Sequence, residues 1–463
     1  MPLRTKVWPG PTYFPDFTHP QAGDYWKTQL QRFHDLLPFD GIWLDMNDPP
    51  LPNKPIYHKT LCMDAVHHAG PHLEWHNRYG HLEAKATFEA LIDNAERIYV
   101  YRRPAVLSRS TYAGSGRWTT HWSGDVPSTW RALNASLVNL LEFNLFGIPV
   151  NGADICGFAG NTNEELCLRW SQVGAFYGFC RNHNDNENRV DQDPGVWPNA
   201  TAAAIRRALQ LRYTFLPHLY TQLYEAEVNG SVAIRPLFFE FPYHLATLDI
   251  QDQFLWGPQL MIVPILRPFS SERTAYFPEK GWLRLDKKLM SGVQSGWQSI
   301  AIPRDTIGLF LRPGYALWGQ EPGETTAESR LNPLLLLINP NASNEAVGRL
   351  YWDAGDGFQY RSLVGESPAM AWISAMYKSR PSKLMRLQIT VLGSSTMTDQ
   401  PLKIGKIHIG KFLRAPIAVQ ANGRLLKPSD WKFDPQRRHL NISQPGIQLQ
   451  LRRSSSNILI TAY

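Results

Sequence analysis

The stretch Gly41–Pro50, GIWLDMNDPP, sets the reading of the chain. Ile42, Trp43 and Leu44 are three apolar residues in a row, the acid Asp45 follows, and Pro49 and Pro50 turn the backbone. A short apolar run stopped by prolines reads as a buried strand with a carboxylate at its C-terminal end. For an aspartate seen alone, capping a turn is the better explanation. Two more runs, PAVLSRS and GIPVNGAD, read the same way, and helical patterns lie between and after them. After Trp130, Leu133, Leu137, Leu140, Leu141 and Leu145 recur at helical spacing, and Gly147 follows as a stop. Thr162 and Glu165 have capping-box spacing ahead of Leu166, Trp170, Val173 and Tyr177. A long helix is expected over about 202–227, with a kink at Pro217. Strands alternating with helices predict a parallel α/β sheet or barrel.

Past about Arg235 the texture changes. QLMIVPIL, TIGLFLRPG, NPLLLLINP, GRLYWDAGDG, LMRLQITVLG and GIQLQL are short β-rich runs punctuated by Gly and Pro, as in β-sandwiches. A break is expected within Thr325–Asn332. The fold class expected is therefore α/β followed by all-β.

The chain has 463 residues, room for two or three domains, with 16 Trp, 18 Tyr and 21 Phe. So many aromatic rings mean large cores or platforms for flat ligands and sugar faces; composition alone favours cores. The net charge is +7, but the basic residues after Tyr377 are interspersed with apolar ones. No zinc-finger spacing, RNA-binding signature or basic helix is present, so no nucleic-acid partner is expected. Cys62, Cys156, Cys167 and Cys180 include no CxxC pair, which argues against a structural zinc or redox dithiol and leaves room for one disulfide. Asn134, Asn199, Asn229, Asn341 and Asn441 open N-x-S/T sequons. No apolar run is long enough for a membrane span. The N-terminus has no signal-peptide core and enters mid-pattern, with prolines and aromatics at once.

The chemistry gathers at strand ends, where α/β barrels carry their functional side chains. Asp45 ends the first. The segment SRSTYAGSGRWTTHWSGD follows the second and holds Arg109, Trp118, His121, Trp122 and Asp125. Asp154 ends the third, and RNHND adds Arg181 and His183. Carboxylates accept hydroxyl hydrogen bonds, Arg and His donate them, and Trp and Phe cover apolar sugar faces, so the pattern suits a polyhydroxylated ligand. Paired acids also suit glycosidic cleavage, one attacking and one donating a proton; about 5 Å between them gives retention, a wider gap inversion. The charge of the first would raise the pKa of the second.

GIWLDMND resembles the nucleophile motif of family 31 glycoside hydrolases, usually W-x-DMNE. SRSTYAGSGRWTTHWSGD resembles the family's acid/base segment, and NGADICGFAGNTNEELCLRW and FCRNHN the segments after it. The resemblance continues through RPLFFEFP, QEPGETTAESR and YWDAGDG, covers nearly the whole chain, and is nearest to the branch of lysosomal and intestinal α-glucosidases. It implies a partial (β/α)8 barrel over 1–235 and two β-sandwiches over 236–330 and 331–463. It implies retaining, exo-acting hydrolysis of α-1,4-linked maltose, malto-oligosaccharides or glycogen, a transglycosylase differing only in the acceptor. Asp45 would be the nucleophile and Asp125 the acid/base. Arg109, Asp154 and His183 would bind hydroxyls, Trp43, Met46, Trp122, Phe158 and Trp8 would line the pocket, and Cys156 and Cys167 would pair. No cofactor or metal is implied, and the route would be lysosomal or secretory.

Three departures stand out. Asp48 replaces the glutamate of DMNE, one methylene shorter, where it would support the nucleophile. The loop after Pro49 is shortened, and Cys62 has lost its family partner. The N-terminal β-sandwich and first barrel strands of the family pattern are missing, which makes a truncated, inactive relative that at most binds carbohydrate the alternative expectation. His68, His72 and His76 recur at i, i+4, i+8, a spacing that can hold a metal, but Pro71 breaks the helix and no HExxH motif is present.

Overall fold

The computed structural model describes residues 2–7, 10–49, 61–95, 103–285, 290–355, 357, 370–379, 384–393, 400–412 and 414–462. Its first half is organised around four short parallel strands, Gly41–Leu44, Ala105–Ser108, Thr120–Trp122 and Asn151–Gly152, hydrogen-bonded in that order. Parallel neighbours require crossovers. Helix Tyr79–Ala95 lies in the first crossover and helix Trp130–Leu145 in the third. The second is the glycine-rich segment with the 3-10 turn Ser115–Arg117. Within the segment SRSTYAGSGRWTTHWSGD the structure adds a strand, Thr120–Trp122, that the sequence reading does not include.

The helices form where the apolar period predicts, with one change of cap. Trp130–Leu145 starts at Thr129, whose side chain accepts from the Ala132 N–H, and buries Leu133, Leu137, Leu140 and Leu141, while Leu145 stays exposed. Glu164–Gly174 is capped by Asn163, which accepts from the Leu166 N–H, not by the expected Thr162–Glu165 box. Glu165 instead accepts from the Phe269 N–H, tying this helix to the following β unit. The helix Asn199–Asn229 runs through Pro217, whose carbonyl accepts from the Thr221 hydroxyl.

All the later β-rich runs contain strands. A six-stranded antiparallel sheet spans Ile234–Pro236 to Gly308–Leu311 in sequence, and Glu272–Phe277 and Gly296–Ala301 form a separate antiparallel pair. A twelve-stranded sheet holds every strand from Tyr315 onward among the described residues. Its inward residues from distant strands, Trp318, Ile373, Ile407 and Ile460 among them, meet in one core, so the sheet folds over on itself. Strand Tyr315–Gln320 pairs with Leu334–Asn339, so the division expected at residue 330 falls inside this pair. Side chains alternate along a strand. Here Leu317 joins the core of the barrel helices and first β unit, while Ala316 and Trp318 join the last core. Wholly buried Trp170, Trp256 and Trp318 anchor these cores; full burial of a large apolar side chain contributes about 1.5–3 kcal/mol. Among the described residues no helix is long and apolar enough to cross a membrane.

Candidate active site

The strand register sets the site. Leu44 lies opposite Ser108, Ser108 opposite His121, and Trp122 opposite Gly152, so the four C-terminal ends share one edge. Asp45, Arg109, Asp125 and Asp154 follow those ends by one to three residues. A parallel bridge between Ile155 and Asn182 extends the edge and brings Arg181 and His183 to it. Close approach here needs a glycine: a Cβ on Gly152 would lie 2.2 Å from the Phe179 carbonyl oxygen.

Arg109 is the central cation. Its Nη1 lies 3.2 Å from Asp45 Oδ1, and its Nη2 donates to Asp48 Oδ1 at 2.9 Å. Asp48 thus shares the guanidinium with Asp45, and the shorter acid still reaches it. Asp45 Oδ1 also accepts from the Met46 N–H at 2.8 Å, and Met46 sits at φ +54°, in the left-handed region. Such strain in a residue with a side chain persists only where its surroundings enforce it. Asn47 does so: it is buried, its amide donates to Ser108 Oγ, and its carbonyl oxygen accepts from the Ser110 N–H.

Asp125 follows Gly124, whose φ of +72° turns the chain at the strand end. Desolvation raises the Asp125 carboxyl above the usual carboxylate range; Arg109 opposes this, Asp45 and Asp185 add to it, and His183 opposes it. Asp185 was not singled out in the sequence. It is held by its N–H on the Phe158 carbonyl and by its carboxylate on the Glu187 N–H. Asp45 and Asp125 therefore stand in unlike surroundings, one against a cation and one pushed toward its neutral form.

Asp154 is fully buried, and Arg181 donates to its Oδ1 from Nε at 3.0 Å and Nη2 at 2.7 Å. Burial pushes the Asp154 carboxyl up to about 6 against the pull of Arg181, with Asp125 and Asp45 adding to the rise. The Arg181 guanidinium carbon lies 4.7 Å from the Trp43 ring centre and 5.3 Å from those of Trp122 and Phe179. Such cation–π contacts fix a cation without consuming its hydrogen bonds. Arg181 is thus a centre of the site, although in the sequence it stands out only as a neighbour of His183. Trp43 packs edge-on against Trp122 and His183, Phe158 lies 5.2 Å from His183, and nearly half of Trp43 stays exposed. Burial and the charge of Arg181 lower the His183 pKa, which Asp125 and Asp45 oppose.

Residues 2–222 match the glycosyl hydrolases family 31 TIM-barrel domain, and residues 230–317 the family 31 C-terminal domain. The chain belongs to glycosyl hydrolase family 31. It is 40% identical to mouse lysosomal alpha-glucosidase over 466 residues, covering 90% of this chain and 48% of that protein. It is 43% identical to human probable maltase-glucoamylase 2 over 377 residues, covering 75% of this chain and 15% of that protein. The glucosidase II alpha subunit bound to alpha3-Glc2 superposes with a TM-score of 0.87 at 25% identity, over all of this chain and 50% of that one. The chain spans about half the length of the lysosomal relatives it matches.

Within this family 31 frame, the remaining expected residues divide. Cys156 and Cys167 form a buried disulfide. Trp8 lies outside the described residues. Trp118 and His121, noted beside Asp125 in the sequence, turn away from it. Trp118 packs on Phe88 under Arg117, and His121 is buried, stacked on Phe143 with burial pushing its pKa down to about 4. Of the spaced histidines, His72 and His76 do meet, but His67 joins them in place of His68, whose backbone N–H donates to Asp16.

Proposed function

We propose that the chain is the catalytic portion of a retaining, exo-acting α-glucosidase that releases glucose from α-1,4-linked maltose, malto-oligosaccharides or glycogen. The reading is carried by one observation: of two carboxylates at aligned strand ends, Asp45 lies against the Arg109 guanidinium while desolvation raises the Asp125 carboxyl above the usual range. Asp45, braced by Arg109 and the Met46 N–H, attacks the anomeric carbon. Asp125, raised by partial burial and by the charges of Asp45 and Asp185, gives its proton to the leaving oxygen. The glycosyl–Asp45 bond is then cleaved by a water whose proton returns to Asp125. Arg109, Asp154 and His183 bind sugar hydroxyls, and Asp154 Oδ2, buried without a hydrogen-bond partner among the described residues, is an acceptor ready for one. Trp43, Met46, Trp122 and Phe158 face the sugar ring. Asp48 supports Asp45 by sharing its arginine. The buried disulfide and the lysosomal alpha-glucosidase relatives favour a lysosomal or secretory route.

A second reading, a carbohydrate-binding relative without turnover, is favoured by the open sheet. Gly41–Leu44 has one strand neighbour among the described residues, and the helix Ala22–Leu36 exposes Tyr25, Phe33 and Leu36. Glucose release from maltose by the purified chain, from about pH 4 to 7, beside Asp45→Asn, separates the two. Turnover lost in the variant is the expected result. A folded chain that binds maltose without releasing glucose overturns the α-glucosidase reading. Wild-type rates in Asp45→Asn would remove Asp45 as nucleophile.

A further inference from the structure

One buried side chain behind the sugar-facing loops gathers many partners. Gln192 stands 9 residues after His183 in the chain and is only 4% exposed. Its Nε2 donates toward four oxygens: Asn182 Oδ1 at 2.9 Å, the His183 carbonyl at 3.0 Å, the Gly157 carbonyl at 3.1 Å and the Ile155 carbonyl at 3.2 Å. Its own backbone carbonyl accepts from Asn182 Nδ2 at 2.7 Å, so Gln192 and Asn182 bind each other twice. Cys167 Sγ lies 3.9 Å from that same carbonyl oxygen, which sets the Cys156–Cys167 disulfide against the junction.

The four acceptors come from two loops. Ile155 and Gly157 flank Cys156 on the loop after Asp154, while Asn182 and His183 belong to the RNHND segment. The loops meet where the Ile155 N–H donates to the Arg181 carbonyl, and again where the Asp185 N–H donates to the Phe158 carbonyl. These contacts bracket His183 in the chain and end on Phe158, whose ring lies 5.2 Å from that of His183. The first loop is sharply bent, with Cys156 at φ +78° and Gly157 at φ +87°. Carbonyls that converge in this way repel one another unless a donor stands among them. An amide nitrogen carries two hydrogens, so four acceptors share them, and the reverse orientation would set an oxygen against four others. The other end of the amide, Oε1, is buried without a hydrogen-bond partner among the described residues. An apolar side chain of similar size would leave no such oxygen buried, so it is the donor end that suits glutamine to this place.

We propose that Gln192 is a positioning residue that fixes His183 and Phe158 as one unit, and so sets how tightly the site holds a sugar rather than how fast the glycosidic bond breaks. None of its hydrogen bonds reaches Asp45 or Asp125. Asp45 is held by Arg109, and Asp125 follows the turn at Gly124. The parts played by His183 and Phe158 at the sugar rest on the α-glucosidase reading above; the joint made by Gln192 does not.

The test compares the whole chain with Gln192→Leu, which removes the donor at similar size, and Gln192→Glu, which donates only while its carboxyl is protonated. Hydrogen exchange read by mass spectrometry reports on the joint. In Gln192→Leu the Ile155, Phe158 and Asp185 amides should exchange faster, while the Arg109 and Ser123 amides, bonded to Leu44 and Gly152, keep their rates. Glucose release from maltose reports the consequence. KM should rise about tenfold in Gln192→Leu, the size of one hydrogen bond lost at the sugar, with kcat within about threefold of wild type. In Gln192→Glu, KM should sit near the wild-type value at low pH and climb toward the leucine value as the carboxyl ionises against its acceptors, a step absent from the other two proteins. Wild-type exchange at residues 155, 158 and 185, or faster exchange throughout the chain, would overturn the joint. A kcat that falls while KM holds, or a glutamate profile parallel to the leucine one, would overturn the positioning role. In a chain that releases no glucose the exchange rates still decide the joint, the maltose dissociation constant takes the place of KM, and the missing turnover counts against the α-glucosidase reading alone.

Discussion

Replacing Arg109 by lysine and by methionine separates its geometry from its charge. The guanidinium spans Asp45 at 3.2 Å and Asp48 at 2.9 Å. A charge-assisted hydrogen bond shielded from water contributes about 1.5–3 kcal/mol, and an exposed ion pair about 0.2–1 kcal/mol. The Asp45 and Asp48 side chains keep 42% and 45% of their surface exposed, so each contact belongs between these limits, on the order of 1 kcal/mol. A single ammonium cannot bridge two carboxylates as the planar fork does, so Arg109→Lys should lose one contact and about fivefold in kcat/KM for maltose. Arg109→Met should lose both, on the order of 30-fold. The pH profiles should part more sharply. Arg109 opposes the rise of the Asp125 pKa. With the cation gone, Asp125 holds its proton to higher pH, and the basic limb of kcat/KM moves up in Arg109→Met. It stays near its wild-type place in Arg109→Lys, which keeps the charge. The assay is glucose release across pH in all three proteins. Basic limbs that coincide in wild type and Arg109→Met, or an unchanged kcat/KM in Arg109→Met, would refute this account of the site.

Two further outcomes concern stability. Burial raises the Asp154 carboxyl to about 6, so the folded chain binds that proton more tightly than the unfolded one, and stability falls as pH rises from about 4 through 6. The melting temperature of Asp154→Asn should be flatter than wild type across that window; parallel curves would show that Asp154 does not titrate there. Removing the Cys156–Cys167 bridge, which joins residues 11 apart in sequence, by double substitution to alanine should lower the urea-unfolding free energy by roughly 2–4 kcal/mol. An unchanged midpoint and slope would mean that the bridge adds nothing measurable.

Much of this architecture could be read from local pattern, because local pattern created it. GIWL and PAVLS are apolar runs with stop signals, and both became strands carrying Asp45 and Arg109. The strand Thr120–Trp122 escaped because three residues, two of them polar, show neither alternation nor an apolar run. Thr162 and Asn163 are adjacent residues that can both cap a helix, and spacing alone did not choose between them. His68 was read with His72 and His76 on helical spacing, but the hairpin turn before Pro71 resets the phase and delivers His67 instead. The ties Arg109–Asp48, Asn47–Ser108 and Arg181–Asp154 join residues 27 to 61 apart in sequence. Such ties follow from strand register, which sequence spacing does not encode, and so Arg181 and Asp185 were undervalued.

That register also says where the site is weakest. Asp45 sits on a strand with one hydrogen-bonded neighbour among the described residues, and the tryptophan two residues before it is half exposed. The work is done from one side: Leu44 accepts from the Arg109 N–H, Asn47 is locked to Ser108 and Ser110, and Arg109 itself grips Asp45 and Asp48. Every one of these ties ends on residues 108–110. Asp125 and Asp154, by contrast, rest on strands and helices packed into the main core around Leu133, Trp170 and Phe176. Loosening residues 108–110 should thus disorder Asp45 while leaving Asp125, Asp154 and the Arg181 cage in place. A substitution such as Ser108→Ala, which removes the hydroxyl joining Asn47 to the Ser110 carbonyl, acts on that weakest joint.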